Sequence, residues 1–189
     1  MQALTKSLVA LVLIALASPC AALAAAPEDP FEAGGFIGYF RGDELRSDTG
    51  SPILDDDIVF GGFGQIHFTE NWGFMTRVSF VDGEVTNIRG GGDIGMTTTF
   101  IDFSATYSWH WDRYSVYVPA GLGYTFSSVD GNEGNDDIGF HVGLGLVWHL
   151  KDRLNFRFEG RYRIAGDLVE TNPETVDVYE TTLGLGWTF

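Results

Sequence analysis

Cysteine is almost missing from this chain: one, Cys20, in 189 residues. Lysine occurs only at Lys6 and Lys151, and proline six times. Each shortage excludes something. A chain with one cysteine cannot be a disulfide-stapled scaffold. No apolar run approaches the ~20 residues that a transmembrane helix requires, and no stretch keeps a helical period. Basic charge is short as well, with 11 Lys and Arg against 26 Asp and Glu and a net charge of −15. That balance argues against nucleic acid as a partner, because phosphate neutralisation needs the opposite sign.

The first 24 residues explain themselves. Lys6 precedes a short apolar run over 8–17, and Ala22-Leu23-Ala24 follows as an A-x-A site. This is the pattern of a cleavable secretory signal peptide, 1–24, which takes Cys20 with it. The mature domain is then 25–189, a single domain in length, with no cysteine and no low-complexity linker.

What the mature chain has is alternation. Residues 154–164, LNFRFEGRYRI, place Asn155, Arg157, Glu159, Arg161 and Arg163 on one face and Leu154, Phe156, Phe158, Tyr162 and Ile164 on the other. A period of two means a strand with two distinct faces. The same alternation recurs over 58–68, 72–80, 101–109, 114–126, 138–148 and 179–189, and less regularly over 31–41. Eight strands follow.

Their polarity is set by counting rings. The chain holds 15 Phe, 7 Tyr and 5 Trp. Of these 27 rings, six (Phe36, Phe40, Phe63, Phe100, Trp111 and Tyr117) fall off the apolar faces, which leaves 21 on them. The bore of an eight-stranded barrel is filled by a modest set of side chains, so 21 rings cannot point inward. They fit outside, against lipid. The expected fold is all-β: an eight-stranded antiparallel transmembrane up-and-down β-barrel. Its charged face turns inward as a network of Arg77, Asp102, Arg157, Glu159, Arg161, Arg163 and Glu180.

The connections alternate between short (69–71, 110–113, 150–153) and long (42–57, 82–96, 127–137, 165–177). Short periplasmic turns and long external loops are the outer-membrane arrangement. Trp72, Trp109, Trp148 and Trp187 lie near the short-turn end, as a periplasmic aromatic belt would. The long loops together carry −15 and the short turns zero, which places the charge on the outer surface. The expected location is the bacterial outer membrane, with both termini periplasmic and acidic loops extracellular.

With these residues in view, the chain resembles the small OmpA/OmpX-type eight-stranded outer-membrane barrels over its whole mature length. Val116–Tyr124, Phe158–Tyr162 and the C-terminus carry the likeness. The last segment, with Thr182, Gly184, Trp187 and Phe189, is similar to the terminal signal read by barrel assembly machineries. The resemblance implies outer-membrane lipids, lipopolysaccharide and that machinery as partners, and a monomer. The chain departs from OmpA in having no peptidoglycan-binding domain after the barrel, so a wall-anchoring role does not carry over.

Sequence offers no catalytic or metal site. Asp130-Gly-Asn132-Glu-Gly134 begins like a calcium loop but breaks at its fifth and sixth positions. The four histidines lack ligand spacing, and none stands beside a serine as His-x-Ser. No cofactor is expected. The resulting reading is a structural or surface protein with a charge-plugged interior. A narrow channel is the alternative, and a lipid A-modifying enzyme is a weaker one.

Overall fold

The computed structural model describes residues 29–42, 53–54, 56–86, 94–129, 135–151, 153–165 and 176–189. The signal segment 1–24 and the loop 130–134 lie outside them. Every element among the described residues is a strand: β1 (Phe31–Gly42), β2 (Ile53–Leu54), β3 (Asp57–His67), β4 (Trp72–Thr86), β5 (Ile94–His110), β6 (Tyr114–Val129), β7 (Asn135–His149), β8 (Leu154–Ala165) and β9 (Val176–Thr188).

Eight of these form the wall. Each pairs antiparallel with its neighbours, and β1 joins β9 while β4 joins β5, so the sheet closes on itself. Closure matters because an open edge in hydrocarbon would leave amide and carbonyl groups without partners. The ninth strand, β2, is a two-residue piece that pairs Ile53 with Thr86 and Leu54 with Val85. It continues the line of β3 along β4, beyond the last β3–β4 pair.

Side chains divide as the alternation requires. Ile37, Leu122, Ile138 and Leu144 are 58–64% exposed. Aliphatics so uncovered around the wall are unreasonable in water and natural against lipid. Rings join them outside: Phe60 against Phe80 and Phe74 against Phe103 form cross-strand pairs. Inside, Arg77, Asp102, His141, Arg161, Arg163 and Glu180 are almost fully buried. Five of the six rings set apart by the ring count also point in: Phe40, Phe63, Phe100 and Tyr117 are buried, and Phe36 packs against Phe63 and Tyr117. Trp111 is exposed in a short turn.

The strands overrun the stretches marked by apolar alternation. β4 continues to Thr86 and β5 starts at Ile94, through pairs such as Asp82–Thr97 and Glu84–Gly95. β6 runs to Val129, β7 starts at Asn135, and β9 starts at Val176. Segments read from sequence as loop are therefore partly sheet. The outward side chains there include Asp82, Thr97 and Ser128, all exposed. Beyond the hydrocarbon the outer face no longer needs to be apolar, so the ladder persists while its pattern fades. β1 is irregular for a different reason: its inward positions carry Phe36 and Phe40 as well as Glu32.

A closed ladder with no free edge resists dodecyl sulfate until heat breaks its hydrogen bonds together. Heated and unheated samples are therefore expected to migrate differently on a gel. Identical mobility, with the protein recovered in the soluble periplasmic fraction, would contradict the barrel.

Candidate functional site

The bore is occupied by a closed circuit of charge. Arg77 on β4 donates from Nη1 to Glu159 Oε1 at 2.9 Å. Arg161 donates from Nε to the same oxygen at 3.0 Å and from Nη1 to Asp102 Oδ2 at 2.6 Å. Arg163 grips Asp102 with both terminal nitrogens, at 2.5 and 2.9 Å, and reaches Glu180 Oε1 at 2.9 Å. Glu180 Oε2 lies 2.8 Å from Arg77 Nη2, and the circuit is complete. Six residues from β4, β5, β8 and β9 thus alternate in sign around the axis.

A seventh and eighth charge form a separate pair. Arg157 Nη2 donates to Glu32 Oε2 at 3.2 Å and to Gln65 Oε1 at 2.5 Å. Gln65 passes the connection on to Thr106 at 3.1 Å. Among the described residues, these buried pairs set four arginines against four carboxylates: Glu32, Asp102, Glu159 and Glu180. That balance is what burial demands, because an unpaired charge away from water is costly. Arg41, the remaining strand arginine, is exposed and lies 3.9 Å from Asp56 outside the bore.

Rings and glycines make the circuit fit. Arg77 lies over the Phe36 ring at 4.0 Å and Arg163 over Phe100 at 4.1 Å. Arg157 is held between Phe63 and Tyr117 at 4.4 and 4.9 Å. These faces desolvate the guanidinium planes while attracting their charge. Tyr117 Oη donates to Glu159 Oε2 at 2.5 Å. A side chain at Gly145 would run into the Tyr117 ring, and one at Gly123 would meet Asp102 and Arg163. Gly145 is where the Tyr117 side chain of the neighbouring strand crosses the inner wall, and Gly123 is where the Asp102–Arg163 pair lies against it. A gap of about 20 Å³ remains beside Arg77, Arg157, Glu159, Tyr117 and Thr182, which is room for roughly one water.

All seven network residues inferred from sequence are inside, six of them in the circuit and Arg157 in the separate pair with Glu32. Glu32 was missed as the partner of Arg157, because β1 alternates poorly; its position next to the outward Phe31 was the available signal. Ser104 and His141 fall on inward faces by the same alternation, but nothing in the sequence joins them to the network. His141 Nε2 lies 2.8 Å from Ser104 Oγ, and its Nδ1 lies 3.5 Å from Asp102 Oδ1. Serine, histidine and aspartate stand in a line, from β5 and β7, with the register Gly121–His141 and Ser104–Gly121 bringing them together. All three are 0% exposed, and Asp102 is already saturated by two arginines.

The terminal motif divides between two faces. Thr182 and Gly184 point inward and border the small gap, whereas Trp187 and Phe189 are exposed on the outer wall. Phe189 N donates to Phe31 O at 2.8 Å, which ties the end of the chain to β1. The four belt tryptophans, Trp72, Trp109, Trp148 and Trp187, are all exposed near the short turns. Tyr107 stands edge-on to both Trp72 and Trp109 at 4.9 Å, and Tyr114 sits opposite Trp148 in the register.

A closed antiparallel barrel, apolar outside and charge-paired inside, defines a membrane-spanning β-barrel protein. More specifically, residues 8–189 match the model of the outer membrane protein beta-barrel domain, and the chain belongs to that family. Among solved structures, it is similar to the outer membrane protein OprG of Pseudomonas aeruginosa, with 13% identity and a TM-score of 0.68 over 85% of this chain and 96% of that one. It is also similar to Neisserial surface protein A, with 16% identity and a TM-score of 0.67 over 84% and 97%. A third is Ail, the attachment invasion locus protein of Yersinia pestis, solved with the heparin analogue sucrose octasulfate, at 17% identity and a TM-score of 0.57 over 85% and 99%. At such identities the likeness is one of fold. No curated protein matches the chain. These relatives are bacterial outer-membrane proteins, and the outer membrane is where a barrel of this family resides.

Loss of Glu159 strands three partners: Arg77, Arg161 and Tyr117. Glu159→Ala should lower barrel stability by about 3–5 kcal/mol, the usual cost of orphaning a buried charge. Urea unfolding monitored by tryptophan emission checks this, with exposed Asp112→Ala as a control expected to change little.

Proposed function

We propose that this protein is a structural and surface component of the outer membrane whose bore is a plug rather than a pathway. The observation that supports this reading is the closed circuit of Arg77, Glu159, Arg161, Asp102, Arg163 and Glu180 across the axis. An ion entering the bore would have to replace charge-assisted hydrogen bonds already made in a water-poor interior. The Ser104–His141–Asp102 line supports a non-enzymatic role too, because its hydroxyl is sealed among buried side chains while a nucleophile must reach its substrate.

In this reading the barrel stands as a monomer, termini in the periplasm and acidic loops outside. Its exposed wall meets lipid, and its outer end meets lipopolysaccharide. The exposed tryptophans near the short turns seat the periplasmic interface, where an indole keeps its ring in lipid and its N–H in water. Trp187 and Phe189, exposed on the last strand, present the terminal signal to the barrel assembly machinery. The second reading, a narrow channel, starts from the gap of about 20 Å³ beside the circuit.

Planar bilayers distinguish the two. The wild-type protein is expected to show no steady conductance. A stable ion-selective current, altered in selectivity by Glu159→Ala with little change in melting, would establish the channel instead.

Deletion of Phe189 tests the signal. The loss of one ring's burial, roughly 1.5–3 kcal/mol, is tolerable for a folded barrel. Folded protein in the outer membrane of cells should therefore fall sharply, while purified protein refolds into detergent almost normally. Equal defects in both settings would make Phe189 a packing residue only.

A further inference from the structure

At the short-turn mouth a second polar system runs across five consecutive strands. His110, at the end of β5, places Nε2 2.5 Å from the Glu70 carbonyl oxygen and Nδ1 2.8 Å from Ser115 Oγ on β6. Ser115 Oγ lies 2.9 Å from His149 Nε2, at the end of β7. His149 Nδ1 lies 2.8 Å from Asn155 Oδ1 on β8, and Asn155 Nδ2 donates to Thr188 Oγ1 on β9 at 3.0 Å. Ser115 and Asn155 are buried, while both histidines reach solvent.

The protons in this chain can be counted. Between two carbonyl acceptors, Glu70 O and Asn155 Oδ1, there are four hydrogen bonds, and each needs one hydrogen. Two neutral imidazoles supply one each and the serine hydroxyl supplies one. The fourth bond requires an additional proton, so this orientation of the Asn155 amide is the one that matches a chain carrying one extra proton. The neutral chain is complete only if the Asn155 amide turns over. Its NH2 then donates to His149 Nδ1, His149 Nε2–H donates to Ser115, Ser115 donates to His110 Nδ1, and Thr188 Oγ–H donates to the amide oxygen. A second proton would place two imidazolium rings on one serine and is opposed by their repulsion.

We propose that the His110–Ser115–His149–Asn155–Thr188 chain is a one-proton switch of the barrel mouth: taking up a single proton turns the Asn155 amide and reverses the hydrogen bond between β8 and the last strand. The charged groups around it are His67 on β3, Glu70, Asp112, Arg113, Lys151 and Arg153 in the short turns, and Arg157, which is paired with Glu32. The turn residues are exposed and screened by water, and the Arg157–Glu32 pair is neutral as a unit.

Nitrogen NMR of the ring and amide groups tests this in full-length protein refolded into detergent micelles, titrated from about pH 8 to 5, across the ordinary imidazole range. In the wild type the two rings should titrate in two coupled steps, and the Asn155 NH2 resonances should shift with the first. Ser115→Ala should uncouple the rings into independent single steps. Asn155→Asp, which can only accept, should retain the proton to higher pH than wild type. Heat-dependent gel mobility confirms that each variant is folded. Rings that titrate independently in the wild type, with Asn155 resonances unmoved, would overturn the switch. If Asn155→Asp does not fold, the wild-type and Ser115→Ala titrations decide the question alone.

Discussion

A backbone placed in hydrocarbon must satisfy every amide and carbonyl within itself. The pairings of β1 with β9 and of β4 with β5, which close the sheet, answer that constraint. The rest of the architecture follows from it. Closure creates an inside, and lipid on the outside removes the usual reason to bury apolar groups. Ile37, Leu122 and Leu144 can stand uncovered. The charged faces of β4, β5, β8 and β9 then have only the bore to occupy.

Once in the bore, charge cannot be left to chance. Eight ionised side chains lie in a space with little water, and their sum is zero. The alternating circuit shares each carboxylate between two guanidinium groups, so removing one member disturbs at least two others. Aromatic faces from Phe36, Phe63, Phe100 and Tyr117 take the place of hydration on the flat sides of the arginines. Glycine at 123 and 145 is the counterpart of this crowding: the wall is thinned where the longest inward side chains cross it.

The two ends of the barrel differ. Toward the loops, strands continue past the lipid with polar outer faces. Toward the turns, tryptophans, a tethered terminal residue and the histidine–serine–asparagine chain gather within a few residues of one another. Both termini of the described barrel meet there through the Phe189–Phe31 hydrogen bond. Assembly, interfacial seating and any response to protons thus share one rim.

Sequence by itself determined the class of fold, the number of wall strands and which face of each strand is inside. These depend on a period of two and on a ring count too large for the bore, and both are local or additive properties. It also placed seven of the eight interior charges, because a strand's faces are decided residue by residue; Glu32, on the poorly alternating β1, was the exception. Only the tertiary structure decided who pairs with whom. The shear of the closed barrel sets which levels of distant strands coincide, and that brings Arg77 to both Glu159 and Glu180. It likewise decided that Glu32 belongs to Arg157, that Ser104, His141 and Asp102 fall in line, and that His110 and His149 share Ser115. Those contacts join residues far apart in the chain, where no alternation or spacing carries information.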